Sequence, residues 1–324
     1  MNLRQNDSPR TRHRPKSPCW LQSSLAPAKV NLLLDVHDRD SASFDFAGYH
    51  PLSTLMVPVR LYDSLSFESI PEDSGNESQI KFTLRDRDTS DGVPGDERNL
   101  VVRALRLLRE RSGCEMGARV ALVKRIPSGA GLGGGSSDAA AALMLANRGW
   151  GIDWSADRLS TLAAELGSDV PFFLDHGGAI CRARGEQVER IPGLRPFDLV
   201  IVKPAVALST AEVYRRFDEL PGGATSLEQS ERTMCSLVAD LRRGAIGQLG
   251  RWMGNGLQAA AASLSSWVER LASDFAELDF AAHQLSGSGS AYFGVCRHAS
   301  QARRLASILR SRGLGRVFVT RSGF

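Results

Sequence analysis

The apolar residues of this chain keep two rhythms, one suited to strands and the other to helices. Residues 25–36, LAPAKVNLLLDV, are almost continuously apolar and predict a buried strand that opens the ordered structure near Ser24. In residues 57–67, VPVRLYDSLSF, β-branched and aromatic side chains mix with polar ones in a strand-like alternation. The run IKFTL, set between polar, glycine-bearing stretches at 72–79 and 85–97, reads as one arm of a hairpin. Residues 99–110, NLVVRALRLLRE, return apolar side chains at helical spacing, which predicts a helix stopped by Gly113. RVALVK, at 119–124, is a short strand leading straight to Pro127.

Beyond Pro127 the helical rhythm takes over. A helix starting at 136–138 ends near Asn147, and another spans 155–166, with Ser155 as its N-cap and Gly167 at its end. A strand at 197–202 and a helix at 211–220 follow, then a break at Pro221, Gly222 and Gly223. Residues 237–251 and 257–278 look helical, SGSGSAYFGVC is a small-residue turn entering a strand, and 302–310 and 316–320 close with a helix and a strand. The alternation is irregular and nothing repeats, which favours a two-domain α+β fold over a doubly wound sheet. No apolar run approaches the length of a transmembrane helix.

Composition changes this picture little. A chain of 324 residues, 42% hydrophobic and 23% charged, can bury a full core. The net charge of +4 owes much to the first sixteen residues, where Arg4, Arg10, Arg12, Arg14 and Lys16 face only Asp7. Without them the body is nearly neutral, so nothing calls for nucleic acid, and phosphorylated metabolites stay compatible. That tail lacks the apolar stretch of a secretory signal, and Pro9, Pro15 and Pro18 break the helix of a transit peptide. It reads as disordered. Cys19, Cys114, Cys181, Cys235 and Cys296 are scattered and without CxxC spacing, which fits a reduced cytoplasm and indicates neither a disulfide framework nor a zinc site.

The chemistry concentrates at 127–147, PSGAGLGGGSSDAAAALMLAN, where Gly129, Gly131, Gly133, Gly134 and Gly135 precede two serines and an alanine-rich helix. Glycine lets a backbone turn at positive φ and approach a ligand closely. A helix starting just behind aims free N–H groups and a positive dipole end into the loop, which is an anion site suited to phosphate. A plain tight connection would need fewer glycines. The segment is not a P-loop, because it contains no lysine. Nor does it suit a dinucleotide fold: Asp153 has about the right spacing, but GWGIDW around it is no buried strand. Three further segments matter. Lys29, with Asn31 on the same face, sits among apolar residues; Asp169, in GSDVPFF, meets an apolar wall; and LSGSGS at 285–290 is another cluster of backbone donors. Taken singly, these read as a snorkelling lysine, a turn residue and a tight turn. Together they supply what phosphoryl transfer to an alcohol needs: anion donors, a cation and a carboxylate for the hydroxyl.

In this order the segments resemble the GHMP kinases. The resemblance runs from about Ala26 onward through PAKVNLLLDV, AGYHPLSTLM, NLVVRAL, PSGAGLGGGSSDAA, LGSDVPFF and LSGSGS. The GLGGGSSDA loop, GYH and SDVPFF are most similar to the branch that phosphorylates a cytidine-diphosphate-linked polyol in isoprenoid precursor synthesis by the methylerythritol phosphate route. Homoserine or mevalonate kinases are the alternative, and a nucleotide-binding protein without catalysis is the rival from another class. The resemblance implies an N-terminal ATP-binding domain at 24–185 after a basic tail at 1–23, a C-terminal domain at 186–324, and an active site in the cleft between them. It makes Lys29 and Asp169 the catalytic pair. Pro127, Ser128, Gly129, Ala130, Gly131, Leu132, Gly133, Gly134, Gly135, Ser136 and Ser137 would wrap ATP, with Asn99 near the adenine. Mg2+ would come with ATP, near Ser136 or Ser137, without a dedicated metal site. Asn31, Tyr49, His50, Thr210, Tyr214, Gly287 and Ser288 would bind the polyol substrate, Tyr49 and Tyr214 sandwiching its base. A cytoplasmic monomer or homodimer, with no nucleic-acid or membrane partner, is implied. The longer stretch HDRDSASFDFAG before Tyr49 departs from the family pattern.

Overall fold

The computed structural model describes residues 21–39, 49–71, 79–86 and 92–323. Most of the basic tail, and most of the long stretch before Tyr49, lie outside them. The apolar run at 25–36 forms β1 (Gln22–Val36), antiparallel to the long β2 (Leu52–Ile70). IKFTL lies in β3 (Ile80–Asp86), which is not a hairpin arm: it pairs in parallel with β4 (Gly117–Lys124). The intervening helix α1 (Leu100–Ser112) explains this, since parallel neighbours need a crossover. Its ends are as expected, with Gly113 left-handed at φ 69.

Helix α2 (Gly134–Gly149) begins two to four residues before its expected start, directly from Gly133 at φ 70. Helix α3 (Ala156–Leu166) starts at Ser155, whose hydroxyl accepts from Arg158 N. A short 3-10 helix, Pro171–Leu174, leads to the hairpin of β5 (Gly178–Ala183) and β6 (Gln187–Ile191), with β5 joined to β2. The first sheet therefore continues past residue 185, where the sequence expectation ended the first domain.

The second half begins with β7 (Asp198–Lys203), α4 (Thr210–Glu219) and α5 (Leu227–Arg243). The helix expected at 237–251 thus starts earlier and stops at Gly244, φ 74, before a 3-10 turn. A two-residue strand β8 (Gly254–Asn255) returns to the first sheet, parallel to β1. The apolar stretch at 257–278 is two helices, α6 (Gln258–Leu264) and α7 (Ser266–Ala276), because Ser265 is extended (φ −150, ψ 114). Strands β9 (Ala282–Leu285) and β10 (Tyr292–Cys296), helix α8 (Ala299–Ser311) and β11 (Arg316–Arg321) complete the second sheet, ordered β11-β7-β10-β9.

Three apolar clusters bind these layers. Phe67, Leu105, Val120 and Leu143 join α1 and α2 to one face of the first sheet. Val30, Leu32, Leu55, Ile201 and Phe293 pack the two sheets against each other. Val202, Leu271 and Leu305 seat α7 and α8 on the second sheet. Burying such side chains is worth about 1.5–3 kcal/mol each, so β1, apolar along most of its length, anchors the joint between the two halves. Among the described residues no helix is long and apolar enough to cross a membrane.

Candidate active site

Strand β1 presents Lys29 and Asn31 on one face, two residues apart, as the period of a strand requires. The Lys29 Nζ donates to Asn31 Oδ1 at 2.7 Å and stands 3.5 Å from Asp169 Oδ2. Asn31 is oriented in turn: its Nδ2 donates to Thr54 Oγ1 at 2.9 Å, and the Thr54 hydroxyl donates to the Leu33 carbonyl at 2.6 Å. The Lys29 side chain is 4% exposed and that of Asp169 37%. A nearly dry ammonium therefore stabilises a carboxylate that still reaches the open cleft. Asp169 is carried by the turn between α3 and the 3-10 helix, and Phe172 and Phe173, packed edge to face at 4.9 Å, fix that turn in the core. The sequence does not single out Thr54; its role comes from the β1–β2 register, which sets it opposite Leu34.

The glycine loop docks on the same strand, with Lys29 N donating to the Leu132 carbonyl at 2.9 Å. Gly131 sits at φ 71, and a Cβ there would fall 1.9 Å from the Ser286 carbonyl oxygen. Only glycine permits this meeting of the loop with the turn at 285–290. At Gly133 a Cβ would come within 2.8 Å of the Phe173 ring and 3.0 Å of Lys29 Cγ, so this glycine makes room for the Lys29–Asp169 pair itself. No side chain caps α2 at Gly133, so its dipole end is open to an anion.

A cleft of about 840 Å3 opens onto these groups. Of the predicted loop residues, Gly129, Gly131, Gly133 and Ser136 line it. Pro127, Ala130 and Leu132 are buried, Ser128 is half-buried, and Gly134, Gly135 and Ser137 stand off the cleft wall in or beside the first turn of α2. Asn99 is not brought to the cleft. It is the N-cap of α1, its Oδ1 accepting from Val101 N and its Nδ2 donating to the Pro94 carbonyl. Thr210, Gly287 and Ser288 do line it, with the two hydroxyls 2.8 Å apart.

Tyr49, His50 and Tyr214 line the far end. Tyr49 and Tyr214, the two rings expected to sandwich the base, both reach the cleft but make different contacts there. Tyr214 stacks on His50, rings 6.2 Å apart and 20° from parallel, while Tyr49 is 61% exposed with Arg184 5.8 Å over its ring. Three contacts fix the His50 ring: Nδ1 lies 2.9 Å from the His37 carbonyl, and Nε2 lies 2.5 Å from Asp218 Oδ1 and 3.2 Å from Arg39 Nε. Arg39 joins the other oxygen of Asp218 at 2.6 Å. Burial, helped by the nearby negative charge of Asp169, pushes the Tyr214 hydroxyl up to about 12, so it stays a neutral hydrogen-bonding group at physiological pH.

Beneath the loop lies a second charged group that sequence reasoning missed. Lys124 Nζ donates to Asp63 Oδ2 at 2.5 Å and to Asp138 Oδ2 at 2.8 Å, and all three side chains are at most 4% exposed. Asp63 Oδ1 also accepts from the amides of Arg125 and Ile126. Asp138 Oδ1 and Ser137 Oγ have no partner. Burial, with Lys124 opposing it and Asp63 adding to it, pushes the Asp138 carboxyl up to about 8.

Comparison with known proteins agrees with this architecture. The profile described as "GHMP kinases N terminal domain" matches residues 99–177, and "GHMP kinases C terminal" matches 237–314. The chain is 36% identical to 4-diphosphocytidyl-2-C-methyl-D-erythritol kinase of Pelotomaculum thermopropionicum over 300 residues, covering 93% of this chain and 97% of the relative. It is 38% identical over 305 residues to the enzyme of that name from Synechococcus sp. (strain CC9605), covering 89% and 93%. A crystal structure of 4-(cytidine 5'-diphospho)-2C-methyl-D-erythritol kinase superposes with a TM-score of 0.72 at 33% identity, covering 94% and 100% of the two chains. The homoserine kinase of Cytophaga hutchinsonii shares the fold, with a TM-score of 0.71 at 20% identity over 96% and 98%. The chain belongs to the GHMP kinases. It is a two-domain α+β kinase that acts on a small molecule, closely related to the enzymes that phosphorylate 4-diphosphocytidyl-2-C-methyl-D-erythritol.

Proposed function

We propose that the protein transfers the γ-phosphoryl group of ATP to the 2-hydroxyl of 4-diphosphocytidyl-2-C-methyl-D-erythritol, giving the 2-phosphate and ADP, in isoprenoid precursor synthesis. The observation that carries this reading is the Lys29–Asp169 pair, 3.5 Å apart, between a glycine loop at one end of the cleft and a ring-lined mouth at the other. A phosphate loop, an acid beside a cation and a flat-ring site are the parts that a nucleotide-linked alcohol requires.

In this reading the backbone of Gly129, Gly131 and Gly133 and the open end of α2 hold the triphosphate. Asp169 accepts the proton of the substrate hydroxyl as its oxygen bonds to the γ-phosphorus and the bond to the ADP oxygen breaks. Lys29, paired with Asp169, neutralises charge gathering on the transferred group, while Asn31, fixed by Thr54, holds Lys29 and reaches the polyol. The Ser136 hydroxyl faces the cleft beside the loop and suits the oxygen-rich shell of Mg2+ carried in with ATP, an ion that supplies charge neutralisation of the phosphates. At the other end Tyr214 and His50 already form one flat stack, and Tyr49, exposed, is left to cover the opposite face of the cytosine. Arg184 and Arg215, both on the wall, suit the diphosphate between base and polyol.

Turnover settles the matter. ADP release with the cytidylylated polyol, set beside homoserine, mevalonate and the polyol phosphate lacking cytidine, should be seen with the first alone. Equal or faster turnover of homoserine or mevalonate would overturn the substrate, and silence with every alcohol would overturn the kinase reading.

A further inference from the structure

Strand β8 is only two residues long, yet it ties the second half to the strand that carries Lys29 and Asn31. It pairs with Leu33 and Leu34 of β1, and Gly256 N continues the contact by donating to the Leu34 carbonyl at 2.8 Å. From it the Asn255 side chain points along the joint. Its Nδ2 donates to two carbonyls at once, Leu285 at 2.9 Å and Gly287 at 2.8 Å, and its Oδ1 accepts from Leu257 N at 2.9 Å. One amide thus staples both arms of the turn that leaves β9. Gln284 Nε2 fastens the same turn to the Asn31 carbonyl at 2.8 Å, and Gln258 Oε1 takes Leu285 N at 2.9 Å. What the staple positions is Gly287, where a Cβ would lie 3.4 Å from Lys29 Nζ and 3.5 Å from Asn31 Oδ1. The turn therefore runs close past the Lys29 ammonium, where an added methyl group would already be in van der Waals contact with it. Asn255 itself does not line the cleft.

We propose that Asn255 is a positioning residue for phosphoryl transfer: by holding the Leu285 and Gly287 carbonyls it seats the 285–289 turn against Lys29 and so sets where the ammonium stands relative to Asp169. This rests on the kinase reading of the Lys29–Asp169 pair. The two Asn255 bonds hold carbonyls on either side of Ser286, and a one-ångström error at a reacting centre is enough to cost rate. An isosteric carboxylate tests the idea directly. Asp at this position keeps the acceptor for Leu257 N, loses both N–H donors and turns negative charge on two carbonyl oxygens. When protonated it becomes a donor again, to one of them. Lys29 and Asp169 are the charged groups on that side, and β9 and α6 bring only the neutral Gln284 and Gln258 to the contact.

The experiment compares N255D with the unsubstituted protein at about pH 8 and about pH 6, a range over which a buried carboxyl titrates. Measured are kcat, KM for both substrates, the melting temperature, and hydrogen exchange of the 285–291 segment. At the higher pH kcat should fall about ten- to a hundredfold with KM for ATP little changed, since lost buried bonds act on the transition state. The ratio of N255D to unsubstituted kcat should recover at the lower pH, and exchange of the turn should rise and recover with it. Should N255D prove unstable, N255A removes both donors without adding charge and should lose kcat equally at both pH values. Native kcat in N255D at the higher pH, or a loss that tracks melting temperature alone, overturns the proposal. Absent turnover by the unsubstituted protein would count against the kinase reading, whereas unchanged exchange in N255D would count against the staple.

Discussion

Two buried lysines flank the glycine loop, and their surroundings differ in one respect. Both side chains are 4% exposed. Lys124 is sealed: its partners Asp63 and Asp138 are 0% and 3% exposed, and no group of the three meets the cleft. Lys29 is as dry, but its carboxylate partner is 37% exposed and the amide beside it faces the cleft. Burial of the cation alone does not separate a working lysine from one that fastens strands to a helix. Exposure of the anion does, because a base must reach its substrate, whereas a fastening carboxylate gains by being dry and fully bonded.

The sharpest test of this contrast is at the open end. Asp169→Asn should leave folding and ATP affinity intact and lower kcat roughly a hundred- to ten-thousandfold, the usual reach of general-base catalysis. Lys29→Ala should lose activity with nucleotide affinity mildly affected; a protein that fails to fold would make Lys29 structural, like Lys124. At the sealed end the effects exchange places. Lys124→Met leaves the buried Asp63 carboxylate and the Asp138 carboxyl without their cation and should cost about 3–5 kcal/mol of stability, read by denaturant unfolding. Turnover per folded molecule should stay near normal, and a collapse of kcat in a stable variant would erase the distinction.

The sealed end should also carry a pH signature. Asp138 has a folded value of about 8 against an ordinary 3.8, so between those values the folded state binds more protons than the unfolded one. Its contribution to stability is full below the lower value and is lost as pH rises towards the upper. Asp138→Asn should flatten that decline when unfolding is followed across the window; equal slopes would mean Asp138 does not titrate there. The smallest effect belongs to the support of the open end. Thr54→Val removes the bond to Asn31 and that to the Leu33 carbonyl and should lower kcat about fivefold with a melting temperature lowered by a few degrees, on the scale of one or two hydrogen bonds.

How much of this was legible in the sequence follows the range of the interaction. Lys29 and Asn31 share a face because strands have period two, and the glycine loop, Asp169 and the 285–290 turn declare themselves by composition within a few residues. The α+β, two-domain reading came from the same local rhythms. Partners set by pairing were hidden: Asp63 lies 61 residues from Lys124, and nothing local to LYDSL announces that contact. IKFTL looked like a hairpin arm because its alternation says strand but not direction. Asn99 looked like a ligand because the resemblance put it near the base, while the cap it provides is visible only once α1 has a start. The rings at Tyr49, His50 and Tyr214 were found, but which of them stack depends on α4, carried by the second half of the chain.

The meeting of Gly131 with the Ser286 carbonyl has a consequence for synthesis of the protein. Lys29, Asp169 and Gly287 are far apart along the chain, and the loop finds its final shape only against a turn made more than 150 residues later. A chain emerging from the ribosome folds its first sheet early but lacks that turn, β8 and the joint they complete. Contacts this distant in sequence also close slowly. The growing chain can therefore carry Lys29, Asp169 and the glycine loop well before it owns the turn that seats against them, and the cleft is complete only when translation is nearly finished.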